Sequence, residues 1–159
     1  MNHIEQIRQF HAAAGHAPSN AFVVRQAALY TGLQCEELAE KFDTLGLFAL
    51  SDALHAMSHT FKRGDEDYRF RSCDAEKLLD DDVDLFVVTV GSMLSQGADV
   101  DGAIGEVCRA NLAKIWPDGT MHKDANGKVN KPADWTAPDL APFISRRVVP
   151  FEPSPVVPQ

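Results

Sequence analysis

The sequence predicts an all-α fold with a long C-terminal loop. Two observations point to it. Apolar residues recur at helical spacing through most of the first 115 positions, broken by glycines, prolines and capping residues. Beyond Trp116 the chain turns to Pro-Asp-Gly, Asn-Gly and Lys-Pro, which is turn chemistry.

Ile4, Ile7, Phe10, His11 and Ala14 mark a first short amphipathic helix, closed by Gly15 and Pro18. Ser19 or Asn20 is placed to cap a second helix through VVRQAALYTGLQCEELAEKF, in which Thr31 and Gly32 are weak points. After Gly46, LFALSDALHAMSHTF predicts a third, followed by a charged loop over residues 62–72. Ser72 or Asp74 is placed to cap a fourth, which ends near Gln96-Gly97. Its LFVVTVGSML stretch is apolar enough to predict that it is largely buried. Asp99 or Asp101 is placed to cap a fifth, running to about Ile115; Gly102 and Gly105 either weaken it or mark close packing. The loop from Trp116 holds a small hairpin around Asn126-Gly127. A short helix in PDLAPFISRR follows, and then a Pro-rich tail over residues 150–159. Residues 1–149 read as a single domain.

The chain has 159 residues and 45% hydrophobic content, which suits one globular domain with its own core. Its formal charge of -8 argues against a general nucleic-acid binder. Cys35, Cys73 and Cys108 are scattered and odd in number, as expected of reduced thiols in a cytoplasm. The opening MNHIEQIRQFHAAAG is too polar for a signal peptide, and no apolar run approaches the ~20 residues of a membrane span.

Two acidic groups stand out. Glu36, Glu37 and Glu40 fall within about a quarter turn of one helix. Like charges at that spacing weaken a bare helix by a few tenths of a kcal/mol per pair. Water, basic side chains or a metal ion must offset them. Asp81 and Asp84 share a face of the fourth helix, with Asp80 on a wider arc and Asp82 pointing away. Brought side by side, the two groups would form an all-oxygen cluster suited to Mg²⁺ or Mn²⁺ rather than zinc. The plainer reading is a solvated acidic face, with Asp80–Asp82 meeting the helix dipole.

The run EVCRANLAKIWPDGTMHKDANGKVNKPADWTAPDL, residues 106–140, resembles the C-terminal motif of MazG-like, all-α nucleoside triphosphate pyrophosphohydrolases. That superfamily includes dimeric dUTPases and phosphoribosyl-ATP pyrophosphohydrolase. Its metal motif, EExxE followed by ExxD, resembles Glu36-Glu37-x-x-Glu40 and Asp81-x-x-Asp84. The resemblance covers about residues 20–142 and is fairly specific in combination. Asp81 stands where the family usually has Glu, and residues 46–73 form an apparent insertion.

The resemblance implies a helical bundle of this family. It implies Mg²⁺-dependent cleavage of a nucleoside triphosphate between the α and β phosphates, with a dUTP- or dCTP-like substrate preferred. Glu37, Glu40, Asp81 and Asp84 would ligate the metal. Glu36 would bind a further metal or accept a proton from the attacking water. It also implies a homodimer or homotetramer.

Residues 34–84 carry a net -8 and residues 109–147 a net +3. A triphosphate needs cations on the first and basic groups on the second. Lys114, Lys128 and Lys131 are therefore candidates for the polyphosphate, and Asn111 and Trp135 for the nucleoside. Singly, each lysine is a solvated surface charge, and Trp135 equally packs a loop on the core. Trp116 reads as core, Cys108 as a small buried apolar residue, and His55 and His59, without an intervening Glu, as ordinary helix histidines. The alternatives are phosphoribosyl-ATP hydrolysis and a non-catalytic helical interaction module that kept the fold.

Overall fold

A computed structural model of the chain describes residues 2–16, 22–63, 74–125 and 128–145, and among these the regular structure is five α-helices and one turn of 3₁₀ helix. The helices are α1 (His3–Ala13), α2 (Val24–Thr44), α3 (Phe48–Arg63), α4 (Ala75–Ser95) and α5 (Val100–Leu112). No strand forms among the described residues; the only pairings are isolated bridges between Ala98 and Ile144 and between Lys123 and Val129. The all-α class read from the sequence is the fold observed. No helix of the described residues is long and apolar enough to cross a membrane.

The chain divides into two compact units, Ser19–Asp80 and the remainder, with the division falling inside α4. The Ser19–Asp80 unit is built on α2 packed along α3. Small residues make this possible: Gly32, Ala39, Ser51 and Ser58 are all buried. A Cβ on Gly32 would stand 3.0 Å from the Phe61 Cβ and 3.1 Å from the Ser58 carbonyl oxygen, so only glycine allows this approach without displacement. The turn between the helices passes through Gly46 at φ +74, a left-handed conformation that favours glycine.

In the other unit α1 and the 3₁₀ turn both pack against α5. The Asn2 side chain caps α1 by accepting from the Glu5 N–H, and Asp99 caps α5 by accepting from the Gly102 N–H. Loop residues close the other end of α1. The Met121 N–H and the Lys123 ammonium donate to the Ala13 and Ala14 carbonyls, each at 3.3 Å. Cys108, Ala110 and Met121 are buried there. Burial pushes the Cys108 thiol up, as suits an inert core residue.

The structure departs from expectation in several places. α4 has no buried residue: Leu79, Val83, Leu85, Phe86, Val87, Val88 and Leu94 are all more than half exposed within the chain. Apolar composition predicts burial of this helix, but among the described residues nothing buries it. α5 stops at Leu112, because Ala113 and Lys114 turn away with 3₁₀-type bonds from Lys114 N–H to Asn111 O and from Ile115 N–H to Leu112 O. The helix expected in PDLAPFISRR shrinks to Ala141–Phe143, since Pro142 lacks the N–H that a longer helix needs. Asp74 rather than Ser72 is the observed cap of α4, accepting from the Glu76 and Lys77 N–H groups. Ser19, Asn20, Ser72, Cys73, Asn126, Gly127 and the 150–159 tail lie outside the described residues.

Candidate functional site

The acidic group of α2 divides by environment. Buried Gly32 and Ala39 mark the side of α2 that meets α3, and Glu36, at the edge of that side, is half-buried. Glu37 and Glu40 are exposed. The offset for Glu36 is a basic side chain from α3: the Lys62 ammonium donates to its carboxylate. Lys62 escaped the sequence reading because the pairing is tertiary, 26 residues apart along the chain.

Asp81 and Asp84 lie exposed on α4. Their expected burial among apolar residues is not observed, so they need no compensating ion for desolvation. Among the described residues, no three His, Cys, Asp or Glu side chains are gathered to hold a metal ion. The donor chemistry nevertheless fits Mg²⁺ or Mn²⁺, because all five candidates are carboxylates.

The 106–140 run is organised around α5. Glu106 and Arg109 form a two-pronged ion pair, with both bonds at 2.7 Å. Arg109 also donates to the Thr136 hydroxyl and the Ala137 carbonyl, and Glu106 accepts the Asp139 N–H at 3.1 Å. The pair thus clips residues 136–139 onto the helix. The Arg109 guanidinium and the Asp139 N–H hold the Glu106 carboxyl down at about 2.

Trp135 donates its indole N–H to the Ala110 carbonyl at 2.7 Å, and the Lys131 ammonium lies 3.8 Å from its ring centre. This geometry anchors the loop to α5. Asn111 Oδ1 accepts from the Lys114 ammonium at 2.8 Å, which orients the amide so that its NH₂ is the group on offer. Lys114, expected on a helix, stands just past the α5 cap and 5.7 Å above the Phe10 ring. Lys128 is exposed, and its backbone N–H is tied to Asp124.

The hairpin expected near Asn126-Gly127 is present as the Lys123–Val129 bridge, with Asp124 N–H to Lys128 O and Asn130 N–H to His122 O at 2.8 Å each. Trp116 is half-buried rather than core. Its ring stacks on His122 at 4.5 Å and donates to the Asn130 carbonyl. His122 in turn donates to Asp118 at 2.7 Å; with two bonds from Thr120, that holds the Asp118 carboxyl down at about 2. His55 and His59 are surface residues, with His55 3.9 Å from Asp43.

An all-α chain with a carboxylate-rich helix and a basic loop clipped to a second helix defines the class of fold. The chain resembles in structure a crystallised protein from Exiguobacterium sp. 255-15, provisionally named an NTP pyrophosphohydrolase. The likeness covers 87% of this chain and 89% of that one, with a TM-score of 0.55 and 20% identity. No family profile and no curated protein sequence matches the chain.

Proposed function

We propose that the chain is a divalent-metal-dependent nucleoside triphosphate pyrophosphohydrolase, releasing pyrophosphate and a monophosphate from a dUTP- or dCTP-like substrate. The observation that carries this reading is the fold shared along most of its length with a protein named for that activity. The acidic and basic segments add chemical support.

Glu37, Glu40, Asp81 and Asp84 are the carboxylates to hold Mg²⁺, with Glu36 as a further ligand or the proton acceptor. The bound ion would activate a water and neutralise developing phosphate charge. The chain's own residues do the rest. Lys114, Lys128 and Lys131 bring ammonium groups to the polyphosphate, and the Asn111 amide NH₂ offers donors to an acceptor on the nucleoside. The Glu106–Arg109 clip holds the loop that carries Lys131 and Trp135. A homodimer or homotetramer would cover the apolar side chains that α4 leaves exposed.

A second reading is favoured by the exposed apolar side chains of α4: a non-catalytic helical interaction module that uses α4 as its docking face. The test is pyrophosphate release from a nucleotide panel with Mg²⁺, phosphoribosyl-ATP included, comparing the parent with Glu40→Gln. Turnover by the parent and its loss in the variant is expected. No turnover with any nucleotide, or equal turnover by both proteins, sinks the enzyme reading.

A further inference from the structure

Gly32 and Lys62 together do something that neither the metal motif nor the loop explains. The Lys62 stem lies against α2 at Gly32, its Cγ 3.1 Å from where a Cβ would stand. A larger residue at position 32 would push the stem off. The stem so placed delivers the ammonium to Glu36, one helical turn further along α2. The pair is partly sheltered, with the Lys62 and Glu36 side chains 26% and 36% exposed. Lys62 belongs to the 46–73 stretch, outside both acidic motifs.

We propose that Lys62 is a built-in counter-cation of the α2 acidic face, a positioning residue that a divalent ion must displace from Glu36 before that carboxylate can join its shell. The inference rests on the metal-dependent reading above. Its physical basis is competition, since one carboxylate cannot give full charge to an ammonium and a divalent ion together. In the unloaded chain the ammonium relieves the repulsion among Glu36, Glu37 and Glu40. In the loaded chain the same ammonium is a like charge beside the ion and weakens its hold. Lys62 therefore lowers metal affinity while stabilising the unloaded helix pair.

The experiment is Mn²⁺ binding without nucleotide, followed by the loss of the free-ion paramagnetic resonance signal. It compares the parent, Lys62→Met, Lys62→Arg, Glu36→Gln and the Lys62→Met/Glu36→Gln double variant. Lys62→Met should bind Mn²⁺ roughly two- to fivefold more tightly, the scale of a partly exposed ion pair. Lys62→Arg should stay near the parent, and the gain should vanish in the Glu36→Gln background. If methionine disturbs folding by circular dichroism, Lys62→Gln removes the same charge. Parent binding with an unchanged or weaker Lys62→Met constant overturns the proposal alone, as does an equal gain in the Glu36→Gln background. No Mn²⁺ binding by the parent or by Lys62→Met overturns the metal reading and this proposal with it.

Discussion

Gly102→Ala tests whether the 3₁₀ turn is seated on α5 as described. A Cβ at position 102 would lie 2.5 and 2.6 Å from Phe143 ring carbons and 2.6 Å from Asp99 Oδ2. Ordinary carbon contacts are ~3.5–4.0 Å, so the ring must retreat by about 1 Å or more. Phe143 is not an isolated side chain. Its carbonyl accepts the Asp99 N–H at 2.8 Å, and Ile144 bridges to Ala98. Moving the ring therefore loosens the strap at the α5 cap. Overpacking of this kind costs about 1–3 kcal/mol. Alanine's better helix propensity returns at most about 1 kcal/mol.

The expected net loss is about 1–2 kcal/mol, read as a lowered urea midpoint by circular dichroism. In a Phe143→Ala background only the Asp99 carboxylate oxygen remains in the way, and Gly102→Ala should cost clearly less than in the parent. Equal losses in both backgrounds, or a parent-like midpoint for the single variant, would refute the reasoning.

Other outcomes follow from the same geometry. The Glu106 carboxyl sits at about 2 in the folded chain against an ordinary 4.5. Its stabilisation is full above the unfolded value and is lost as pH falls from there through about 2. Glu106→Gln should flatten that part of an acid melting series. His3 is held above its ordinary range by bonds to Gln6 and Asp101, so its contribution is full below the unfolded pKa and lost as pH rises through the folded one; His3→Gln should remove that alkaline loss from melting curves. Ser51 is 1% exposed, and its hydroxyl has no hydrogen-bond partner among the described residues. Ser51→Ala should therefore raise the melting temperature, the gain being on the order of 1 kcal/mol. Trp135→Phe keeps a ring beneath Lys131 but loses the bond to Ala110, and a stability loss of about 1 kcal/mol should show in a urea titration.

Local signals were the legible part of the fold. Asp99 and Asp74 announce their caps by residue type, and Gly46 and Gly97 announce left-handed helix ends. Each depends on a few neighbouring residues. The end of α5 was less legible, because Ala113 and Lys114 are good helix formers and only the tertiary setting turns them. In PDLAPFISRR, Pro142 is a breaker visible in the sequence, and the helix there is held to Ala141–Phe143.

For the candidate site, residue types were legible and their partners were not. The repulsion among Glu36, Glu37 and Glu40 called for an offset, but naming Lys62 requires knowing that α3 folds back on α2. Trp135 showed as an aromatic in a loop, whereas its bond to the Ala110 carbonyl appears only once the loop is clipped down by Arg109 and Glu106. The fourth helix misled in the opposite sense. Composition speaks of what a helix will bury, and one chain need not supply the cover.

The chain has two tryptophans, Trp116 and Trp135, and both belong to the same compact unit; the Ser19–Asp80 unit has none. Indole emission is therefore blind to the α2–α3 hairpin, while far-ultraviolet ellipticity sums over every helix. Denaturation followed by emission alone would report one half of the molecule as if it were the whole. Superimposing the two signals tells whether the halves melt as one cooperative body or in succession.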